Sequence, residues 1–170
     1  MTKEYMAEGL LLLLDSKAFA DISIAELTDK AGVNRATYYR NFTSKEEVIR
    51  FYLRGIMRSF LESYEKKRKR SLEPYLSCLF SHFFTYKPQL LLLHQNGLSY
   101  LLLDVFNDLF EERQAEKFHD PEAQFNLFYH IGGIYNFFVL WLSHDMHEAP
   151  EHLAKIAASN FPADAKPLLL

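Results

Sequence analysis

Residues 23–47 read SIAELTDKAGVNRATYYRNFTSKEE, and three local signals divide this stretch into helices. Ser23 and Glu26 have the spacing of a capping box, in which a hydroxyl and a carboxylate satisfy the first backbone donors of a helix. Gly32 supplies the backbone freedom of a tight turn, and Asn34 is a good N-cap residue. The stretch therefore predicts one helix over residues 24–30 and another over residues 35–41.

A second Ser-x-x-Glu spacing, at Ser44 and Glu47, predicts the start of a long helix that ends in the basic run Lys66 to Arg70. The two short helices before it are separated by a glycine turn, which is the arrangement of a helix-turn-helix. Apolar residues are spaced so that they hold these two helices at a fixed angle: Leu27, Ala31, Val33, Tyr38 and Phe42.

The opposite side of the second short helix carries side chains suited to DNA. Arg35 and Arg40 can donate to phosphate or to guanine O6 and N7, while Tyr39 offers a hydroxyl to phosphate and a ring to a thymine methyl group. Lys45 begins the next helix, where free backbone N–H groups also favour an anion. We therefore expect double-stranded DNA to bind this segment.

The charges of the chain are divided between its two parts. Residues 1–70 contain 14 Lys and Arg against 10 Asp and Glu, whereas residues 71–170 contain 5 against 12. The interval from Lys30 to Lys45 contains four cations and no acid. The first part is therefore where a polyanion is expected. The basic run Lys66 to Arg70 is either a second DNA contact or a solvated helix end.

Residues 32–46, GVNRATYYRNFTSKE, closely resemble the signature of the TetR (tetracycline-repressor-like) family. That signature is usually Gly-Val-Ser, then Thr-apolar-Tyr, then His-Phe, then Ser/Asn-Lys-Glu. Residues 24–27, IAEL, fit the family as well. Tyr38 replaces a more common aliphatic residue, and Asn41 stands where His is usual. An amide can still donate to a phosphate, but it does not titrate with pH.

This resemblance implies a dimeric transcriptional regulator, commonly a repressor that releases its operator when the C-terminal part binds a small molecule. Arg35 falls where the family often places a base-reading side chain. Thr37, Tyr39 and Lys45 match positions that usually hold the DNA backbone. The residues predicted to bind a palindromic operator are Arg35, Ala36, Thr37, Tyr39, Arg40, Asn41 and Lys45.

Helix signals continue along the rest of the chain. A first helix is predicted over residues 4–16, with Tyr5, Leu10, Leu13 and Leu14 on one face. Prolines, which only the first turn of a helix tolerates, bracket helices over residues 74–86, 88–95, 98–118, 121–144 and 150–160. The expected all-α fold has a three-helix DNA-binding head over residues 1–47 with its motif at 23–42, a connecting helix over 48–70, and a helical bundle for effector binding and dimerisation over 71–170.

Aromatic side chains are expected to fill the bundle, with a subset lining an apolar effector cavity: Phe80, Phe83, Phe84, Tyr100, Phe106, Phe125, Phe128, Tyr135, Phe138 and Trp141. The polar groups expected to orient a small apolar or aromatic effector are His94, Tyr129, His130 and Asn136. The helix over residues 121–144 has a second interpretation, since Asn126, His130 and Gly133 share one stripe and small residues permit close approach of helices. The resemblance favours the last two helices for pairing in a homodimer.

Other classes of protein fit the sequence less well. Residues 125–142 have almost the length of a membrane span, but Asn126, His130 and Asn136 interrupt them and no basic residue flanks them. A single cysteine, no glycine-rich phosphate loop and no leading signal segment predict a cytoplasmic protein that is not an enzyme and has no cofactor or metal site. Two alternatives stay open: a regulator controlled by a partner protein, and a helical adaptor that does not bind DNA.

Overall fold

The computed structural model of the chain describes residues 1–66, 71–114, 121–162 and 165. Within those ranges it contains helices, turns and no strand, which confirms the predicted all-α fold. Residues 67–70 of the basic run and the predicted helix end at 115–118 lie outside the described ranges. A short 3-10 turn covers Phe19–Asp21. The helices are α1 (Thr2–Leu14), α2 (Ile24–Lys30), α3 (Arg35–Asn41), α4 (Lys45–Glu65), α5 (Leu72–Phe84), α6 (Lys87–Gln95), α7 (Tyr100–Gln114), α8 (Pro121–Ser143) and α9 (Pro150–Ser159).

The start of α2 confirms the first predicted capping box. Ser23 Oγ accepts a hydrogen bond from the Glu26 N–H at 3.2 Å, and Glu26 Oε2 accepts one from the Ser23 N–H at 2.9 Å. Lys17 Nζ lies 2.6 Å from Glu26 Oε1. This hydrogen bond from Lys17, followed by those from Ser23, lowers the pKa of Glu26 from 4.5 to about 2. The carboxylate therefore stays ionised at neutral pH and keeps all its partners.

The turn between α2 and α3 is a Schellman motif. Gly32 adopts a left-handed backbone with φ +65°, and the Val33 N–H donates to the Thr28 carbonyl oxygen at 2.9 Å. Asn34 then caps α3, because its Oδ1 accepts a hydrogen bond from the Thr37 N–H at 2.8 Å. Both turn signals read from the sequence are thus confirmed.

The start of α4 differs from its prediction in one bond. Ser44 Oγ accepts a hydrogen bond from the Glu47 N–H at 3.3 Å, as expected. The Glu47 carboxylate accepts from the Thr43 N–H at 2.6 Å, and no capping box with Ser44 forms. In this arrangement Glu47 still satisfies a backbone donor just before the helix.

Helix α4 joins the first helices to the rest of the molecule, because it packs against α1, α5 and α7. Its buried face belongs to one continuous apolar core that runs from α1 to α9. The buried residues of α4 are Val48, Ile49, Leu53, Ile56, Met57, Phe60, Leu61 and Tyr64. A movement of α4 therefore displaces residues packed against it in α1 as well as in α5 and α7.

The second half of the core is aromatic, as predicted. The Phe138 ring packs against Phe83 and Phe80, with ring centroids 4.8 and 5.0 Å apart. Five of the ten predicted aromatic core residues are buried: Phe80, Phe83, Phe106, Phe138 and Trp141. The prediction is wrong for three that are exposed: Phe84, Tyr100 and Phe125. None of the described helices is both long enough and apolar enough to cross a membrane.

Helix α1 is rotated slightly from its predicted orientation. Leu10 and Leu14 are buried as expected, but Tyr5 is exposed and Met6 takes its place in the core. The 3.6-residue helical repeat puts Met6, Leu10 and Leu14 on one line, and Tyr5 falls beside it. The buried face of α1 is the one that meets α2 and α4.

The close approach of α1 to the end of α2 depends on Gly9. A Cβ added at Gly9 would lie 3.2 Å from the Ala31 nitrogen and 3.4 Å from its Cα. We expect Gly9→Leu to lower the free energy of unfolding by about 2 kcal/mol, because the added side chain pushes α1 away from α2. Urea denaturation measures this change.

Gly55→Leu is the matched control. Gly55 is also helical, but no atom lies within 4 Å of an added Cβ, so leucine is expected to be neutral or stabilising there. Equal losses of stability in the two variants would show that Gly9 serves no packing purpose.

Candidate nucleic-acid interface

Helix α3 has one buried side and one exposed side. Tyr38 is fully buried, and its ring centroid lies 6.2 Å from that of Phe42. Leu27 is buried against the same core, with Ala31 and Val33 partly buried beside it, so the predicted packing set is confirmed. The exposed residues of α3 are Arg35, Ala36, Tyr39 and Arg40, with Tyr39 59% exposed.

Hydrogen bonds along α3 orient the polar side chains at its surface. Thr37 Oγ1 donates to Asn34 Oδ1 at 2.8 Å and accepts from Arg40 Nη2 at 2.9 Å. Asn41 Nδ2 donates to the Thr37 carbonyl oxygen at 2.7 Å. An arginine has five N–H donors, so Arg40 keeps most of them for a ligand. Thr37 and Asn41 are half-buried and lie at the edge of the exposed side.

Lys45 has an internal role that the sequence did not indicate. Its Nζ donates to the carbonyl oxygens of Phe19 and Ile22, at 2.5 and 2.6 Å, and lies 4.6 Å from the centroid of the Phe19 ring. The ammonium group has three donors, so one remains for a phosphate. Lys45 therefore ties the start of α4 to the 3-10 turn that precedes α2.

The hydroxyl of Tyr38 is buried and has no hydrogen-bond partner in the described part of the chain. Burial is the largest cause that raises the pKa of Tyr38 to about 12. The Tyr38 hydroxyl is thus held inside the fold, whereas that of its neighbour Tyr39 is available outside.

We expect Tyr38→Phe to raise the free energy of unfolding by about 1 kcal/mol, because it removes a buried polar group without a partner. The matched control is Tyr39→Phe, at an exposed position, where the change is expected to stay within about 0.5 kcal/mol. Chemical denaturation of both variants tests the assignment. A loss of stability in Tyr38→Phe would show that the hydroxyl has a stabilising partner.

The four residues predicted to orient an effector lie at two places. Tyr129, His130 and Asn136 line a surface groove of about 500 Å³ between α8 and α9. The His130 ring stacks on Phe161 with centroids 4.2 Å apart, and burial lowers the pKa of His130. His94 does not line this groove, and its Nδ1 lies 2.8 Å from Ser99 Oγ.

A small apolar cavity of about 20 Å³ lies elsewhere, among α4, α5, α7 and α8. None of the four predicted effector residues lines it. The lining residues are Met57, Tyr75, Leu79, Phe106, Phe110, Ile131 and Ile134. Apolar side chains around a cavity have the same sequence pattern as any other core residues, so only the structure locates it.

Two arginines of α4 form ion pairs with carboxylates of α7. Arg50 Nη2 lies 2.6 Å from Asp104 Oδ2, and the Arg50 Nε also donates to that oxygen at 3.2 Å. Arg54 pairs with Asp108 at 2.8 Å and with Glu112 at 2.9 Å. These pairs were not predicted from the sequence, although each set of residues recurs every four positions, as neighbours on one helix face do. Helix α4 is thereby linked to α7 by charge as well as by apolar packing.

Solved structures with the same fold are regulators of transcription. The dihydroxyacetone kinase operon activator DhaS is similar over 94% of this chain and 93% of its own, with a TM-score of 0.55 and 18% identity. The fatty acid degradation regulator FadR from Bacillus halodurans has a TM-score of 0.57 and 16% identity over 93% of each chain. The regulator FadR from Bacillus subtilis, solved with stearoyl-CoA, has a TM-score of 0.56 and 17% identity over 92% of this chain and 95% of its own. At these identities the likeness establishes the fold.

The amino-acid sequence gives the more specific comparison. No curated protein matches the chain. Residues 11–50, however, match the family model of the bacterial regulatory proteins of the tetR family. That match contains the capping box of α2, the Gly32 turn and the whole of α3. Residues 11–50 are therefore a DNA-binding segment of the kind found in bacterial regulatory proteins of the tetR family.

Proposed function

We propose that the chain binds a palindromic operator as a homodimer, represses transcription from it in the cytoplasm, and releases it when a small apolar molecule enters the helical body. The observation that carries the DNA-binding part is the exposed side of α3, with Arg35 and Tyr39 outside and Tyr38 sealed beneath them. No chemical step on a substrate is part of this function.

In the proposed complex, α3 lies in the major groove, which is wide enough for an α-helix. Arg35 reads a base edge, because a guanidinium can donate two hydrogen bonds to guanine. Ala36 is small enough to let the helix approach the bases. The residues proposed to hold the backbone phosphates are Thr37, Tyr39, Arg40, Asn41 and Lys45.

The proposed dimer pairs α8 and α9 with the same helices of a second copy. Exposed apolar side chains on α8 recur at helical spacing: Phe125 (79% exposed), Tyr129 (77%) and Leu140 (59%). Ile156 of α9 is exposed as well. Large apolar side chains grouped at the surface are typical of an interface, and two helices from each subunit form a four-helix bundle about a two-fold axis.

The proposed effector site is the cavity lined by Met57. Its volume of about 20 Å³ accommodates a single water molecule, so a larger ligand has to displace the cavity walls. Met57 belongs to α4, whose first residue, Lys45, lies close in sequence to α3. Displacing Met57 therefore tilts α4 and changes the separation of the two α3 helices in the dimer, which is a population shift between two arrangements.

An acyl chain is the apolar ligand to test first, since the FadR structure from Bacillus subtilis was solved with stearoyl-CoA. We expect stearoyl-CoA to raise the melting temperature and to release operator DNA over the same concentration range. Ile134→Phe, which fills the cavity, is expected to abolish both effects. A ligand that raises the melting temperature while operator affinity stays unchanged would contradict the coupling between the two sites.

Salt dependence distinguishes a DNA-binding regulator from a helical adaptor. The logarithm of the operator binding constant is expected to fall with the logarithm of salt concentration by roughly 0.9 for each phosphate neutralised. An adaptor retards no duplex at any salt concentration.

The sign of regulation is measured with a reporter gene placed behind the operator. Repression is the expected result. Activation of the reporter, as the name of the operon activator DhaS describes for that protein, would overturn the proposed repression.

A further inference from the structure

A groove of about 650 Å³ follows the seam between α1 and α6. It shares no residue with α3, with the α8–α9 groove or with the cavity beside Met57. Its apolar lining consists of Pro88 and four leucines, of which Leu12 is 60% exposed while Leu11, Leu91 and Leu92 are more buried. Small-molecule sites commonly have volumes of roughly 300 to 1,000 Å³, so this groove has the size of one.

The charged side chains that line this groove are both acidic. Glu8 is exposed on α1 and Asp15 is exposed directly after its last residue, and the polar groups that α6 contributes are the uncharged amides of Gln89 and Gln95. Neither carboxylate pairs with a cation anywhere in the described ranges of the chain. Seven residues of helix separate them by about 10 Å. The leucines thus lie in a field that attracts positive charge and repels negative charge.

We propose that this groove binds an amphiphilic organic cation. Its apolar body covers Leu12 and the two leucines of α6, and its charged centre lies beside Glu8 or Asp15. The leucines alone would accept any apolar molecule, but an anion of the same shape meets two like charges and no compensating cation. The charge of the ligand is therefore the selective feature of the site, in contrast to the uncharged cavity beside Met57.

A ligand in this groove touches α1, which packs against α2 and α4, and α6, which is linked to the DNA-binding segment by a hydrogen bond. The residue that follows α6, Asn96, accepts a hydrogen bond from the Phe19 N–H at 3.2 Å through its Oδ1. The Phe19 carbonyl oxygen in turn accepts from Lys45 Nζ. A change in the spacing of α1 and α6 is thus transmitted to the start of α4. This effect on DNA rests on the proposed function, whereas binding of the cation does not.

Tetraphenylphosphonium and tetraphenylborate form a matched pair of probes, because they have nearly the same shape and opposite charge. Isothermal titration calorimetry of the full chain is expected to show saturable binding of one tetraphenylphosphonium per chain. Tetraphenylborate is expected to bind at least about tenfold more weakly. Equal affinity for the two ions, or no saturable binding of the cation, would overturn the proposal.

The carboxylates are tested with the double variant Glu8→Gln/Asp15→Asn, which is expected to weaken cation binding about tenfold. Glu62→Gln/Glu73→Gln changes the net charge equally at two exposed positions outside the groove and is expected to leave the affinity unchanged. Equal effects of the two double variants would assign the result to net charge alone. Leu12→Ser, which keeps every charge, is expected to weaken both probes. Retardation of operator DNA is measured separately, so that failure to bind DNA does not affect these outcomes.

Discussion

The double variant Arg35→Ala/Tyr39→Ala is expected to lose operator affinity by roughly 100-fold or more, although it folds and dimerises as the parent chain does. The loss is large because each base or phosphate contact of this kind contributes about 1–3 kcal/mol. Both side chains are exposed on α3 and neither belongs to the buried core. The Tyr39 ring contacts the Tyr38 ring edge-on, with centroids 5.2 Å apart, so folding of the variant has to be checked. Gel retardation at fixed salt concentration, with circular dichroism as a check on folding, measures the effect.

Tyr5→Ala/Arg58→Ala is the matched control. It removes one exposed tyrosine and one exposed arginine from α1 and α4, away from α3. We expect this variant to retard the operator within about twofold of the parent, because surface changes away from a contact have small effects. If both double variants bind the operator as the parent does, Arg35 and Tyr39 do not contact DNA.

The second large effect is expected at the α8–α9 face. Tyr129→Glu/Leu140→Glu places two like charges on the exposed stripe of α8, where a second copy is proposed to pack. The variant is expected to sediment as a monomer and to lose roughly 100-fold or more in operator affinity, because the two half-sites are then bound independently. Analytical ultracentrifugation and gel retardation of the same sample measure the two changes.

Tyr5→Glu/Leu12→Glu controls for the added charge. It replaces an exposed tyrosine and an exposed leucine of α1, which lies outside the proposed interface. This variant is expected to remain a dimer. A dimeric Tyr129→Glu/Leu140→Glu protein would place the subunit contact elsewhere.

Local sequence signals predicted the features that are settled by neighbouring residues. The bounds of α2 and α3 were predicted to the residue, because Ser23, Gly32 and Asn34 form hydrogen bonds or turns within five positions of themselves. The buried side of α3 followed in the same way from helical spacing. The fold class needed only the repetition of such signals along the chain.

Features that depend on distant residues were not predictable. Lys45 has the sequence position of a phosphate ligand, yet two of its hydrogen bonds go to carbonyl groups more than 20 residues away. Gly9 gives no turn signal, since its role is to let α1 approach Ala31. The ion pairs of Arg50 and Arg54 depend on which helix packs beside α4, and the sequence does not specify that pairing.

The four residues predicted to orient an effector stay a prediction, and the sequence did not indicate that they lie at two separate places. In the sequence, polar residues in an apolar helix indicate a ligand site. In the structure His130 packs on Phe161 at the α8–α9 groove, whereas His94 does not line that groove. The surface of the cavity beside Met57 is entirely apolar. Its position follows from the packing of four helices and has no counterpart in any local motif.

The central claim is that a dimer lays the exposed side of α3 into two successive major grooves. Selection of bound duplexes from a pool of random DNA tests it most directly. We expect enrichment of a palindrome whose half-sites lie about one helical turn, 10 base pairs, apart or a multiple of that distance. We also expect Arg35→Ala to relax the preference at one base pair in each half-site. No enrichment over the starting pool, or the same palindrome enriched equally by Arg35→Ala/Tyr39→Ala, would contradict it.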